Sequence, residues 1–286
     1  MDTRAVNHLS NLYRAYHAAG DMPDCIVLWG QLASTNYQPP PLNTALPSII
    51  SAFQPKSGST FIFNRLIQSF GYTEYNWGIT HPIDLATMYA VPESLERYLR
   101  GGCASHTHCR PSPYNISLFQ RYQVRPVWVH LRHPAASTLS AYHHYLGEGQ
   151  GHGEIAEARR RANREQARTL GLEVGNGRPN ERDKFLLRHI EFAVTWILDW
   201  VRYAEKEPAN VFFTYFSQLV DHTLFAQVAD KFGIGSVPDI PAHLDNDRLR
   251  DGTPGNWRSG LAEQTVDQVE TLLQARLGPS GILEKL

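Results

Sequence analysis

Residues 48–60 of the chain, SIISAFQPKSGST, place an apolar segment directly before a loop that is rich in hydrogen-bond donors. The apolar part predicts a buried β-strand, and the apolar residues that follow the loop recur at the spacing of an amphipathic helix. In the loop, Gly58 allows backbone amides to turn toward one point, and Lys56 adds a positive charge. Such a loop at the start of a helix predicts an anion site of the kind that holds phosphate. An ordinary helix cap is the alternative explanation.

Strands and helices alternate along the rest of the chain. We predict further strands at residues 102–108, 126–131 and 210–215, and helices at residues 135–145, 154–170 and 183–204. This alternation indicates one α/β domain in which helices flank a central parallel sheet. Ligands of such sheets bind at the carboxyl ends of the strands, where Lys56, His108 and Arg132 are expected. Residues 1–46 are predicted to form a helical N-terminal extension, and residues 47–286 the main domain.

The composition of the 286-residue chain narrows the classes of function. Its 27 Lys and Arg residues nearly balance 28 Asp and Glu residues, so we expect no binding surface for nucleic acid. Cys25, Cys103 and Cys109 lack the spacing of a metal site, and we expect free thiols in a reducing compartment. No stretch approaches the roughly 20 apolar residues of a membrane span, and the N-terminus lacks an apolar signal core. These features predict a cytoplasmic enzyme that does not bind membranes.

Three segments resemble motifs of the sulfotransferases that use 3′-phosphoadenosine 5′-phosphosulfate (PAPS). Residues 55–61, PKSGSTF, resemble the family's PKSGTTW loop. Arg132-His133-Pro134, with Ser140 eight residues after the arginine, is similar to its Arg-x-Pro…Ser element. Residues 250–258, RDGTPGNWR, are similar to its RKGxxGDWK segment. The chain therefore resembles the soluble PAPS-dependent sulfotransferases, and the resemblance implies their P-loop-like fold.

The resemblance also implies a site for PAPS and for its product, adenosine 3′,5′-bisphosphate. By analogy with the family, the first segment would surround the 5′-phosphate with the residues Lys56, Ser57, Gly58, Ser59 and Thr60. The second and third segments would bind the 3′-phosphate with Arg132, Ser140, Arg250, Asp251 and Gly252. Asp251 stands where the family has a basic residue, which removes one favourable charge from this pocket. Phe61, in the position of the family's tryptophan, would stack on adenine, and Tyr215 would approach it from the fourth strand.

Sulfuryl transfer needs charge neutralisation on the leaving side and a base on the acceptor side. Lys56 is expected to stabilise the leaving phosphate. His106-Thr107-His108 is similar to the family's Lys-Thr-His element, which makes His108 the expected base. A shifted alignment would give that role to His106, and Glu74 is a third candidate because other branches of the superfamily use a glutamate. A His-x-His pair also occurs in zinc sites, but no third ligand follows at a typical spacing, so we expect no metal.

The acceptor is expected to be a small molecule with a hydroxyl or amine group. Aromatic residues are predicted to line its pocket, and the glycine-rich loops at residues 147–153 and 175–177 to cover it. Residues 265–270 carry half of a dimerisation motif of soluble sulfotransferases, with Leu261 in place of its lysine, so we predict a monomer or weak homodimer. A nucleotide kinase or NTPase with a variant phosphate loop is the first alternative function, and a non-catalytic nucleotide-binding protein is the second.

Overall fold

The computed structural model describes residues 43–80, 88–147, 154–169, 171–172, 174–175, 179–235 and 256–286. Several predicted features lie outside the described residues: almost all of the N-terminal extension, most of both glycine-rich loops, Cys25, and the residues Arg250, Asp251 and Gly252. No helix in the described part of the chain has the length and apolar character that crossing a membrane requires.

The described strands are short, and most of them run in parallel. They are β1 (Ser51–Phe53), β2 (Thr73–Glu74), β3 (Gly78–Thr80), β4 (Met88–Ala90), β5 (Cys103–Ala104), β6 (Val127–Leu131) and β7 (Val211–Tyr215). In one sheet β6 lies between β1 and β7, and both pairs are parallel; β2 and β5 form a second parallel pair. Only β3 and β4 pair in antiparallel fashion.

Backbone hydrogen bonds join the β2–β5 pair to the free side of β1. The amide of Ile49 donates to the carbonyl of Cys103 over 3.1 Å, and the amide of Phe53 donates to the carbonyl of Thr107 over 2.9 Å. The strand order across the molecule is therefore β2-β5-β1-β6-β7, with β1 at the centre. The carboxyl end of β1, which carries the predicted phosphate loop, meets the carboxyl ends of β5 and β6 at one edge.

Helices cover both faces of this sheet. The helices are α1 (Ser59–Gln68), α2 (Pro92–Tyr98), α3 (Pro113–Arg121), α4 (Pro134–Leu146), α5 (Glu154–Thr169), α6 (Pro179–Lys206), α7 (Phe216–Val220), α8 (Leu224–Phe232) and α9 (Glu263–Leu277). Side chains of β1 alternate between two apolar clusters, because successive residues of a strand point to opposite faces. Ala52 packs with residues of α6 and α9, whereas Phe53 packs with residues of α1 and α8. The predicted α/β fold, with a small parallel sheet between helices, is confirmed.

The sequence predicted some elements more accurately than others. The helices predicted at 135–145 and 154–170 correspond to α4 and α5 within one residue at each end. The helix predicted at 183–204 is longer, because the polar residues before its apolar stripe continue the helix and Pro179 starts it. The strand predicted at 102–108 is assigned only at Cys103–Ala104, although the residues after it still hydrogen-bond to β1. The strand β2, the β3–β4 hairpin and the helices α2, α3, α7, α8 and α9 were not predicted.

Candidate functional site

The loop between β1 and α1 turns sharply through two residues in left-handed backbone conformations. Lys56 has a φ of 64° and Gly58 a φ of 90°, and the Ser57 amide donates to the Gln54 carbonyl over 3.1 Å. A lysine in this region is uncommon and costs about 1 kcal/mol or more in conformational energy. A Cβ atom on Gly58 would lie 2.9 Å from Cδ2 of Leu219 in α7. Glycine at this position thus permits both the turn and the close approach of α7.

The start of α1 presents backbone amides that have no acceptor among the described residues. These amides belong to Gly58, Ser59, Thr60 and Phe61, whereas the amide of Ile62 already donates to the Gly58 carbonyl. Ser57 is completely buried, and its hydroxyl has no hydrogen-bond partner in the described part of the chain. A ten-residue helix adds its dipole to these unpaired donors. This end of α1 has the donor set that an anion requires.

Arg132 follows β6 directly and contacts the loop. Its Nη1 donates to the Lys56 carbonyl over 3.1 Å, and its Cζ lies 4.1 Å from the centroid of the Phe216 ring. Among the described residues, no Asp or Glu lies within ion-pair distance of this guanidinium. Burial lowers the pKa of Arg132 to about 10, which leaves the side chain charged at neutral pH. A partly desolvated cation therefore lies beside the loop.

Gln54, which the sequence did not single out, ties the loop to the end of β6. Its side chain is fully buried; Oε1 accepts from the Arg132 amide over 2.7 Å, and Nε2 donates to Ser137 Oγ over 2.8 Å. Both ends of the carboxamide are thus satisfied between β6 and α4. The only sequence signal was an uncharged polar residue directly after a buried strand, which is too common to identify a structural role.

The two predicted histidines lie together but have different partners. Their ring centroids are 5.1 Å apart, and His106 Nε2 lies 2.7 Å from Ser59 Oγ. His108 Nδ1 lies 2.7 Å from the Phe53 carbonyl oxygen, which can only accept, so Nδ1 is the protonated nitrogen. Neutral His108 therefore has its lone pair on Nε2. The His106 ring thus contacts the start of α1 through its Nε2.

Lys56 acts electrostatically on both histidines. Desolvation and the neighbouring His106 lower the pKa of His108 to about 4, and the charge of Lys56 contributes to this shift. Desolvation, followed by the charge of Lys56, also lowers the pKa of His106. Both rings are consequently neutral at physiological pH, as a proton acceptor must be.

Helix α6 fixes the backbone that carries His108. Trp196 Nε1 donates to the His108 carbonyl over 3.1 Å, and Trp200 Nε1 donates to the Cys109 carbonyl over 3.1 Å. Both indole rings are fully buried, so each of these hydrogen bonds is shielded from water. The histidine is thus held by the core of the domain and not by a flexible loop.

The remaining predicted residues lie around this edge of the sheet. Glu74 is exposed at the end of the outermost strand, β2, with β5 between it and β1. Phe61 is half-buried in α1, with the Arg65 guanidinium 5.0 Å from its ring centroid. Ser140 is half-buried in the second turn of α4, and Tyr215 is half-buried at the end of β7, where desolvation raises its pKa.

The third motif is joined to the second by an aromatic stack. Trp257 lies in a short 3₁₀ turn (Asn256–Arg258), and its ring stacks on His133 at 5.3 Å between centroids and 18° between planes. Arg258 extends over the same indole at 4.9 Å and pairs with Glu270 of α9 at 2.7 Å. Desolvation and the charges of Arg258 and Arg132 together lower the pKa of His133 to about 4, so this ring is neutral as well. The end of the RDGTPGNWR segment therefore lies beside Arg132-His133-Pro134.

The described residues contain no group of three or more His, Cys, Asp or Glu side chains that could hold a metal ion.

The three motifs are the extent of the similarity to known proteins. No protein-family model matches the chain, and neither does any curated protein or solved structure.

Proposed function

We propose that the protein is a sulfotransferase that moves the sulfuryl group of PAPS to a hydroxyl or amine of a small-molecule acceptor. The observation that carries this proposal is the position of Lys56 near both the largely desolvated Arg132 and two neutral histidines. Its carbonyl accepts from Arg132, and its charge lowers the pKa of both His106 and His108. A donor-rich loop, a cation and a base thus meet at one sheet edge.

The donors present fit a nucleotide that has two separate anionic ends. The amides at the start of α1 and the buried Ser57 hydroxyl would hold the 5′-phosphosulfate end. Arg132 and Ser140 would hold the 3′-phosphate, together with the segment that the His133–Trp257 stack brings beside them. Phe61 and Tyr215 are available to the adenine. The strand order, with the phosphate loop after the central strand, supports a P-loop-like sulfotransferase fold.

When bound, PAPS would supply an activated sulfuryl group. Its transfer would exchange the S–O bond to the phosphate for a bond to the acceptor oxygen or nitrogen, with adenosine 3′,5′-bisphosphate as the leaving group. The acceptor proton passes to His108 Nε2, which has the lone pair because Nδ1 donates to the Phe53 carbonyl. The Lys56 ammonium group stabilises the negative charge that develops on the departing phosphate.

His108 is the best-placed of the three candidate bases. His106 Nε2 is already within hydrogen-bond distance of Ser59 Oγ, which gives that ring a role in holding the phosphate loop. Glu74 is exposed on the outermost strand, β2, and β5 separates it from the loop that follows β1. The hydrogen bond from Nδ1 to the Phe53 carbonyl keeps the His108 ring in one orientation, as a general base requires.

The cellular location and assembly state belong to the same proposal. Cys103 and Cys109 are buried free thiols, which suits a reducing compartment such as the cytoplasm. Glu270, in the half-motif for dimerisation, pairs with Arg258 of its own chain. We therefore keep the assignment of a cytoplasmic monomer or weak homodimer.

Release of adenosine 3′,5′-bisphosphate from PAPS, measured with and without a panel of phenols, alcohols and amines, tests the proposal. Acceptor-dependent release that needs no Mg²⁺ is the expected result. Release of ADP from ATP in the presence of Mg²⁺ would instead identify a nucleotide kinase or NTPase. Tight binding of the bisphosphate without turnover on any acceptor would identify a non-catalytic nucleotide-binding protein.

A further inference from the structure

His130 is a fully buried histidine in β6, outside the three motifs. Its Nε2 lies 3.1 Å from the carbonyl oxygen of Ser57 in the phosphate loop, and its Nδ1 lies 2.8 Å from Thr214 Oγ1 in β7. Strands that are buried on both sides of a parallel sheet normally consist of apolar residues. An imidazole in this position costs desolvation energy unless both nitrogens are satisfied.

The chemistry of the partners fixes the direction of each hydrogen bond. A carbonyl oxygen can only accept, so His130 Nε2 donates to Ser57. Trp128 Nε1 can only donate, and it lies 2.6 Å from Thr214 Oγ1. Thr214 Oγ1 therefore accepts a hydrogen bond from the indole, and its hydroxyl group donates a hydrogen bond to His130 Nδ1. Burial lowers the pKa of His130 to about 3, in agreement with a neutral ring that is protonated on Nε2 alone.

This bond determines where the next amide of the loop points. A trans peptide group is planar, and its C=O and N–H bonds point in opposite directions. Because His130 holds the Ser57 carbonyl toward the sheet, the N–H of Gly58 points away from it. That amide is one of those at the start of α1 that have no acceptor among the described residues.

We propose that His130 is a positioning residue that sets the orientation of the Ser57–Gly58 peptide and so prepares the Gly58 amide for an anion. Trp128 and Thr214 serve this role by fixing the tautomer. The inference rests on the proposed function for the identity of the anion, the 5′-phosphate of adenosine 3′,5′-bisphosphate. The orientation of the peptide follows from the hydrogen bonds alone.

Three variants separate this role from a general contribution to stability. His130→Phe removes the donor to Ser57, whereas His130→Gln retains an N–H donor near the position of Nε2. Tyr98→Phe is the matched control, because the Tyr98 hydroxyl donates to the carbonyl of Ile49 over 2.6 Å. Ile49 lies just before the amino end of β1, whereas the loop follows the carboxyl end of that strand. This control removes one buried hydrogen bond of the sheet and leaves the loop intact.

Affinity for adenosine 3′,5′-bisphosphate is measured by calorimetry for each variant, and unfolding by urea. We expect His130→Phe to weaken binding about tenfold or more, the upper range for one hydrogen bond, and His130→Gln to stay within about threefold of the original protein. Tyr98→Phe should lower stability without changing affinity. Unchanged affinity in folded His130→Phe, or an equal loss in Tyr98→Phe, would overturn the inference.

Nitrogen-15 NMR of the histidine rings keeps the inference testable if His130→Phe does not fold. The original protein should show His130 protonated on Nε2 only, and Thr214→Val should change the resonances of this ring and of the Gly58 amide. A His130 protonated on Nδ1 only would overturn the inference whether or not the bisphosphate binds. If the tautomer is as expected but the bisphosphate does not bind, the proposed function fails and the peptide orientation stands.

Discussion

Arg132 donates a hydrogen bond from Nη1 to the carbonyl oxygen of Lys56 over 3.1 Å, and this contact joins the second motif of the chain to the first. The two residues are far apart in sequence and adjacent in space because β1 and β6 are parallel neighbours. The bond uses one of the five N–H donors of the guanidinium, and the described part of the chain shows no acceptor for the others. A positive side chain and a donor-rich loop are thereby fixed relative to each other before any anion binds.

Replacement of Arg132 should weaken nucleotide binding more than it weakens the fold. Arg132→Ala is expected to reduce affinity for adenosine 3′,5′-bisphosphate about 30-fold or more, because a charge-assisted contact of about 2 kcal/mol is lost. Arg276→Ala is the control, since Arg276 forms an ion pair with Glu191 on the exposed surface. Calorimetry on both variants measures the effect, and equal affinities would contradict the role of Arg132.

Gly58→Ala should lower the free energy of unfolding more than Gly71→Ala does. Both Gly58 and Gly71 have left-handed backbones, but only at Gly58 would a Cβ meet another side chain, Cδ2 of Leu219 at 2.9 Å. We expect Gly71→Ala to cost about 1 kcal/mol of unfolding free energy and Gly58→Ala at least about twice that, with weaker bisphosphate binding. Urea denaturation measures the difference. Equal costs would show that α7 does not confine the loop.

Acid should destabilise the domain well before carboxylates are protonated. Burial lowers the pKa of His130 to about 3 and that of His133 to about 4, whereas an unfolded chain keeps values near 6.5. Below pH 6.5 the unfolded state thus binds more protons, so the free energy of unfolding falls as pH decreases, by up to about 1.4 kcal/mol per pH unit for each histidine. Urea unfolding between pH 7 and 5 tests this.

His133→Phe is the matched variant for the acid effect. It keeps an aromatic ring against Trp257 and removes one of the titrating groups, so its stability should fall less steeply with decreasing pH. A pH dependence as steep as that of the original protein would show that His133 does not contribute. No loss of stability in the original protein down to pH 5 would contradict neutral burial of these rings.

The sequence predicted the sheet edge and its motifs because local patterns carry that information. A strand, a glycine and a helical apolar period are all visible between residues 48 and 70, and together they place Lys56 at a strand end. His106 and His108 lie together because residues two apart share one face of an extended chain. Their separate roles required the structure, because partners such as Ser59 and the Phe53 carbonyl lie about 50 residues away along the chain.

Residues that act through other residues were not predictable in the same way. His130 and Gln54 have no motif of their own, and each matters only because a distant strand or helix supplies its second partner. In the sequence VWVHL, the histidine at position 130 is unusual for a buried strand, and this was the one available signal. The effect of His130 on the Ser57–Gly58 peptide depends on the contact of its Nε2 with the Ser57 carbonyl, in the loop that follows the neighbouring strand β1.

The assignment of the base can be tested by turnover and binding together. His108→Ala is expected to lower kcat about 10²-fold or more and to leave bisphosphate affinity nearly unchanged, because the ring acts on the acceptor. Lys56→Ala should lower both quantities, and His106→Ala should chiefly weaken binding, since His106 Nε2 contacts Ser59. Glu74→Gln should change neither. If His108→Ala kept the kcat of the original protein, the base would instead be the residue, His106 or Glu74, whose replacement abolishes turnover.

Calorimetric binding of adenosine 3′,5′-bisphosphate to the unmodified protein, with and without Mg²⁺ and in comparison with ATP, is the decisive test of a PAPS site. We expect binding in the low-micromolar range or tighter, independent of Mg²⁺ and stronger than that of ATP, because fixed amides, Lys56 and Arg132 neutralise the phosphates. Tighter binding of ATP, or a strict requirement for Mg²⁺, would contradict the assignment of a PAPS site.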